Sequence, residues 1–200
     1  MTTRSLAVVS AGLREPSSTR MLADRLAQAT AEALRERGDE AVVEVVELRV
    51  LGHDLVNNLI SGFPAGELKG AVEAVSGADG LIAVTPVFQA SYSGLFKTFF
   101  DVLDKDAIED TPTLLGATGG TPRHSLAIDF AMRPLFAYLR AATQPTVVYA
   151  ATEDWGSGEL ADRIGKAGRE LAGTITGRVP AAKPDPFDEP VPFESLLFKE

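Results

Sequence analysis

Two hundred residues are enough for one domain of ordinary size, with a core that needs no disulfide or metal staples. Cysteine is absent, which excludes disulfides, thiolate metal sites and a cysteine nucleophile, and the two histidines, His53 and His124, are too few for a His-rich metal centre. The net charge of −9 argues against general affinity for nucleic acid, yet it leaves room for a local site that holds a small anion. Residues 5–10 form a compact apolar run bounded by polar residues and read as a buried strand. The run is too short for a signal peptide or a membrane span and no other segment is long enough, so the expectation is a soluble cytoplasmic domain with no membrane partner.

A polar, turn-forming stretch follows over residues 11–19. Leu22, Leu26, Ala29, Ala33 and Leu34 then share one face of a long helix that stops at Gly38. Residues 41–48 alternate apolar and acidic side chains and read as an outer, less buried strand. Residues 51–66 mix Gly, Asn and Pro with apolar residues, a loop with room for a short helix. Residues 67–76 read as a modest helix, 80–85 as a fully apolar buried strand and 93–103 as a helix. A further apolar strand over 112–118 ends in Gly119-Gly120. Pro134 must kink or divide the helical pattern of 124–142, because proline removes a donor and clashes with the preceding turn. Residues 146–150 read as the last strand and 158–172 as the last helix. From residue 179 on, five prolines interrupt a segment without helical or strand period. The expected organisation is a domain over residues 1–178 and an extended Pro-rich tail over 179–200. Phe187, Phe193, Leu196, Leu197 and Phe198 make that tail too apolar to be free, and it packs on its own domain or on a neighbouring subunit.

Strands alternating with helices indicate an α/β fold with a parallel sheet covered on both faces. Five strands match the flavodoxin-like doubly wound order 2-1-3-4-5, in which, as in flavodoxin itself, the ligand crevice lies at the carboxyl ends of the strands beside strands one and three.

Three loops at those carboxyl ends carry the chemistry. Ser10-Ala11-Gly12-Leu13-Arg14-Glu15-Pro16-Ser17-Ser18-Thr19 leads from the first strand into the first long helix, whose N-terminus offers unpaired N–H groups and partial positive charge to a phosphate. Ser10, Ser17, Ser18 and Thr19 add hydroxyl donors, and Arg14 adds a charge-assisted pair. The bland alternative is a plain cap, Ser17 or Ser18 closing the helix with no ligand. Neither GxxxxGK[ST] nor GxGxxG is present, so a single phosphate fits better than a pyrophosphate. Thr85-Pro86-Val87-Phe88-Gln89-Ala90-Ser91 places an aromatic and an amide side by side after a buried strand, a seat for a planar ring, although Phe88 and Pro86 also read as a satellite core residue and a strand terminator. In Thr118-Gly119-Gly120-Thr121, paired glycines let backbone N–H groups approach a ligand closely.

The phosphate-loop residues Ser10, Leu13, Arg14, Ser17 and Thr19 resemble the S-x-x-L-R-x-x-S-x-N pattern of NAD(P)H-dependent FMN reductases, and Pro86 to Ser91, continuing to Gly94, Lys97 and Asp101, resembles that family's P-x-Y-N-x-S…G-x-x-K-x-x-x-D. The likeness covers roughly residues 4–175. Residues 118–126 and 149–156 look like an actinobacterial subgroup that partners luciferase-like monooxygenases. The resemblance implies FMN as cofactor and NAD(P)H as co-substrate. Ser10, Leu13, Arg14, Ser17, Ser18 and Thr19 would hold the phosphate, Pro86, Val87, Phe88 and Gln89 would lie along the ring, and Thr118, Gly119, Gly120 and Thr121 would flank its pyrimidine edge. No catalytic side chain is implied: hydride passes between nicotinamide and flavin, with the Gly119 and Gly120 backbone stabilising charge on reduced flavin. A homodimer or homotetramer and a flavin-dependent monooxygenase are the implied partners. Thr19, Phe88 and Gln89 depart from the family's Asn, Tyr and Asn.

Other readings stand beside this one. A flavodoxin-like electron carrier or a quinone or azo reductase with tightly bound FMN would have similar loops. A hydrolase using Ser10 or Ser91 lacks the GxSxG elbow and an evident Asp partner for either histidine. Lys97 and Asp101 pair on one helix face, either solvated or at a subunit interface. His124 is a capping histidine or a proton donor, Arg123 a cation suited to a nicotinamide 2′-phosphate, and Trp155 a loop-packing residue.

Overall fold

The computed structural model describes residues 1–178. The Pro-rich tail expected from residue 179 lies outside them. Strands β1 (Thr3–Ser10), β2 (Glu40–Glu47), β3 (Gly80–Phe88), β4 (Ser91–Tyr92), β5 (Pro112–Gly119), β6 (Ala142–Thr143) and β7 (Val148–Ala151) are joined by helices α1 (Ser18–Glu36), α2 (Gly52–Ser61), α3 (Glu67–Ser76), α4 (Gly94–Asp101), α5 (Arg133–Tyr138) and α6 (Gly158–Gly177). The sheet runs β2-β1-β3-β5 and then β6 and β7, which pair in turn with the start and the end of β5. All of these pairs are parallel. The doubly wound order expected from the sequence is therefore present, with its fifth strand divided.

Side chains alternate between the two faces along each strand. Leu6, Val8, Ile82, Val84, Leu114 and Val148 join α1 and α6 in one core. Ala7, Val9, Leu81, Ala83, Leu115 and Tyr149 join the helices of the other face in a second core. Phe96, Phe100 and Phe136 are fully buried there, with ring centroids 4.8 Å apart for both Phe96–Phe100 and Phe100–Phe136, and they tie α4 to α5. Burying each such ring contributes about 1.5–3 kcal/mol. Strand β2 is the outer strand that its acidic alternation implies, with Val42 and Val43 exposed.

Three segments differ from the sequence reading. The stretch after β2 holds a ten-residue helix, α2, closed by Gly62 in the left-handed conformation. The long helical pattern around Pro134 is divided more finely than one kink would divide it: a short 3-10 turn (Pro122–His124), a π-turn (Ile128–Met132) and then α5, with Pro134 in the first turn of α5, where its missing N–H costs nothing. Ala142, at the end of that pattern, lies in β6 instead. Strand β3 also continues past Thr85 into a hairpin with β4. Among the described residues no helix is long and apolar enough to cross a membrane.

Helix α1 packs along α6 at Gly168, where an added Cβ would lie 2.8 Å from the Ala29 carbonyl carbon and 2.9 Å from the Ala29 Cβ. Alanine gains about 1 kcal/mol of helix propensity over glycine, but overpacking against backbone that cannot retreat costs about 1–3 kcal/mol. Gly168→Ala should therefore lower the urea midpoint at unchanged slope, by the equivalent of about 1 kcal/mol; a midpoint equal to or above that of the wild type would show that the helices separate freely there.

Candidate functional site at the carboxyl edge of the sheet

Ser10, Pro86, Thr118 and Ala151 lie at the carboxyl ends of β1, β3, β5 and β7. Their registers set them side by side: Ser10 opposite Val84, Pro86 opposite Thr118, and Thr118 opposite Ala150. The loops expected to hold the ligand leave from this edge, and the sheet order makes them neighbours.

The loop after β1 folds back on itself at Gly12, where a Cβ would sit 2.0 Å from the Ser17 Oγ. Ser17 caps α1, its Oγ accepting from the Arg20 N–H at 3.1 Å, so the capping alternative holds for this hydroxyl. Cap and anion site are compatible here. Ala11 N–H donates to the Val84 carbonyl, but from Gly12 to Thr19 no backbone N–H has a protein acceptor among the described residues. Ser10 is 2% exposed and makes no side-chain hydrogen bond. Since no fully buried side-chain polar atom among the described residues lacks a partner, its hydroxyl must open onto the loop surface. Ser18, Leu13 and Arg14 are exposed.

The charges around this loop separate into paired and unpaired. Arg20 bonds to both Asp24 and Glu47, and the hydrogen bond it donates to Asp24 is the main cause of its raised pKa. Arg49 pairs with Glu15 at 3.0 Å. Arg14 has no carboxylate partner among the described residues, which leaves its guanidinium open to an anion at the helix N-terminus.

Thr19 is buried. Its hydroxyl lies 2.8 Å from that of Thr118, tying the start of α1 to the end of β5 across 99 residues. The family position that usually carries Asn thus belongs, in this chain, to an internal clamp. Gly116 makes the approach possible: a Cβ there would meet Leu26 at 3.2 Å and Leu22 at 3.5 Å on α1.

The third-strand segment is a two-residue hairpin. Val87 faces Tyr92 and Phe88 faces Ser91, with Gln89 and Ala90 at the turn, both at positive φ (47° and 65°). Positive φ at both central positions marks the turn type that suits a twisted hairpin and favours Asn and Gly. The Asn of the family pattern, replaced here by Gln89, therefore stands where backbone conformation selects it. The Thr85 hydroxyl accepts from the Ser93 N–H at 3.0 Å, and the Ser93 Oγ caps α4 by accepting from Phe96 N–H, so the hairpin is closed onto that helix. Phe88 is 46% exposed and presents its ring to solvent at the carboxyl edge. Pro86 and Val87 are half-buried behind it.

In the third loop Gly119 is the last ladder residue, opposite Ala151. Gly120 lies beyond it in open space, and among the described residues neither Gly120 nor Thr121 has an acceptor for its N–H. The Tyr149 hydroxyl donates to the Thr121 carbonyl at 2.8 Å. Nothing in the sequence reading singled out Tyr149 by itself, although a phenol inside the apolar run of the last strand requires a polar partner and was a usable signal.

The remaining candidates are Arg123 and His124, just after the glycine loop, and Lys97, Asp101 and Trp155. His124 and Arg123 are exposed and neither makes a hydrogen bond or ion pair among the described residues, so no Ser–His arrangement forms. Lys97 and Asp101 pair within α4. Trp155 packs under the Arg25 guanidinium, 5.2 Å from its ring centroid.

A family model described as NADPH-dependent FMN reductase matches residues 4–156. An FMN reductase (NADPH) of Pseudomonas aeruginosa is 38% identical over 165 residues, covering 82% of this chain and 86% of that protein. The NADH-dependent FMN reductase SfnF of Pseudomonas putida is 38% identical over 155 residues, covering 78% of this chain and 81% of its own. Among solved structures, an oxidoreductase from Corynebacterium diphtheriae is similar with a TM-score of 0.86 at 46% identity, over 88% of this chain and 99% of that one. The apo form of the NADH:FMN oxidoreductase EmoB follows the same path with a TM-score of 0.71 at 27% identity, over 90% and 92% of the two chains.

Thr19→Val removes one hydroxyl of the buried pair and strands the other, at a cost of about 1–3 kcal/mol, whereas replacing both is closer to neutral. In thermal or urea unfolding, Thr19→Val should be less stable than the Thr19→Val/Thr118→Val double variant; a double variant weaker than the single would remove the clamp from this account.

Proposed function

The chain belongs to the NADPH-dependent FMN reductase family, and from that premise we propose that its carboxyl-edge loops bind FMN and present it to NAD(P)H, making it an NAD(P)H:FMN oxidoreductase. The observation that carries the proposal is the loop from Gly12 to Thr19, whose backbone N–H groups lack acceptors among the described residues, beside Arg14, which has no carboxylate partner among them. Together with the positive end of the nineteen-residue α1, those donors match a phosphate monoester, so the residues present fit the group.

Ser10, Ser18, Arg14 and the loop N–H groups hold the phosphate, and Leu13 lies over the loop. Ser17 shares its oxygen between cap and ligand. Thr19 acts at one remove by fixing the loop against Thr118. Pro86, Val87, Phe88 and Gln89 form the wall along which the ring lies, and Phe88 supplies an aromatic face in place of the family's Tyr. Gly120 and Thr121 aim backbone donors at the pyrimidine edge. FMN, when bound, would supply the redox chemistry of hydride transfer from a nicotinamide. The chain's own part is to position, to exclude water from one ring face and to lower the energy of negative charge at the pyrimidine edge. No protein acid or base is required for that.

We extend the same reading to partners. The exposed Val56, Leu59, Ile60 and Phe63 on and after α2 and the exposed Phe130 and Tyr138 near α5 are apolar surface suited to homo-oligomer contacts. Reduced FMN leaving such a site is a substrate for a flavin-dependent monooxygenase, the consumer implied by residues 118–126 and 149–156. Arg123, exposed next to the glycine loop and without an ion pair among the described residues, would favour NADPH over NADH by its charge.

Purified protein titrated with FMN should quench flavin fluorescence and then oxidise NADPH or NADH in steady state. Arg14→Ala should raise the FMN dissociation constant by roughly 10-fold or more, the loss of one charge-assisted hydrogen bond, while leaving hydride transfer in flavin-saturated enzyme nearly unchanged. Absence of FMN binding would end the proposal; binding without nicotinamide oxidation would turn it to an electron carrier.

A further inference from the structure

The backbone between Thr118 and Thr121 is held at both ends. At one end the Thr118 hydroxyl meets Thr19; at the other the Thr121 carbonyl accepts from the Tyr149 hydroxyl, each at 2.8 Å. Between these points lie only Gly119 and Gly120. Gly119 is held in the ladder opposite Ala151, but Gly120 has neither a side chain nor a ladder partner to hold its conformation, so the direction of its N–H depends on the ladder before it and the Thr121 pin after it. The second pin is built tightly. Tyr149 is 6% exposed on β7, and its oxygen lies where a Cβ on Gly119 would come within 2.0 Å. The phenol therefore fills the space beneath the loop and admits glycine alone at position 119. Burial, and secondarily the negative charge of Asp154, push the Tyr149 pKa above its ordinary value, so the group stays a donor. Asp154 is itself fixed, its carboxylate accepting from the Ala151 N–H at 2.8 Å.

We infer that Tyr149 is a positioning residue for the flavin's polar edge: through its bond to the Thr121 carbonyl and its contact beneath Gly119, it aims the Gly120 and Thr121 N–H groups at the pyrimidine side of bound FMN. The inference rests on the FMN reading above and extends it to a residue on a neighbouring strand that touches no ligand. Since negative charge grows at that edge when flavin is reduced, the aimed donors favour reduced FMN more than oxidised FMN.

Tyr149→Phe keeps the ring and removes the bond. Fluorescence titration with oxidised FMN should show a dissociation constant raised roughly 2- to 12-fold, the range for one neutral hydrogen bond. Reduced FMN should lose more affinity than oxidised FMN, so the midpoint potential of the bound flavin should fall. Gly119→Ala should weaken binding further, because its methyl drives into the phenol oxygen. The Gly119→Ala/Tyr149→Phe double variant should bind FMN more tightly than Gly119→Ala alone, since the clash is then relieved. An unmoved Tyr149→Phe dissociation constant beside a wild type that binds FMN overturns the role alone. Equal weakening of both flavin forms, or a Tyr149→Phe chain that loses its circular dichroism, makes the tyrosine a packing residue and overturns it as well. A wild type that binds no FMN removes both this role and the reading beneath it.

Discussion

The meeting of α1 with β5, through the Thr19 and Thr118 hydroxyls at 2.8 Å, is what the other features of the carboxyl edge depend on. Helix α1 follows β1, but its N-terminus has to cross β3 to reach the end of β5. It does so because Gly116 lets Leu22 and Leu26 settle close to the sheet, and because Gly168 lets α6 lie backbone to backbone along its flank. With α1 so placed, its unpaired N–H groups, the hairpin at the end of β3 and the glycine loop at the end of β5 face one crevice. A buried hydroxyl pair is a small energy by itself, of the order of 1 kcal/mol. Its effect on the site is larger, since a shift of the helix end by an ångström would separate the phosphate donors from the ring wall.

Net charge and local charge point in opposite directions in this protein. At −9 the whole chain repels anions, yet three acidic side chains around the first loop are already engaged, Asp24 and Glu47 with Arg20 and Glu15 with Arg49. Neutralising those carboxylates leaves Arg14 and the end of α1 as the uncompensated field at the loop. Screening at physiological salt limits the reach of the remaining surface charges to about 8 Å, so an acidic protein can hold a phosphate where its own pairs have cleared the site.

Most of the sheet was legible because buried parallel strands are short apolar runs between turn residues, and residues 5–10, 80–85 and 112–118 are such runs. The first and last long helices were legible from their apolar period, although the last runs to Gly177, past the expected end at residue 172. What stayed hidden depended on contacts remote in sequence. The hairpin at Gln89-Ala90 carries neither of the Asn-Gly residues that announce such a turn; tertiary closure by Thr85 on Ser93 imposes the positive φ that local preference resists. The division of the segment around Pro134 into a 3-10 turn, a π-turn and α5 follows from burying Ile128, Met132 and Phe136 in one core, a demand that periodicity alone does not express.

By itself, the sequence determined the fold class and the loop chemistry: hydroxyls and Arg14 after β1, an aromatic and an amide at the end of β3, paired glycines at the end of β5. These are local properties, carried by residue type and spacing. Only the tertiary structure decided which hydroxyls are free and which are spent. Ser17 serves as a cap, Thr19 and Thr118 satisfy each other, and Tyr149 reaches from the last strand to the Thr121 carbonyl. The reason is that a buried polar group must find its partner wherever the packed sheet brings one, and a partner 28 or 99 residues away leaves no trace in the spacing around either residue.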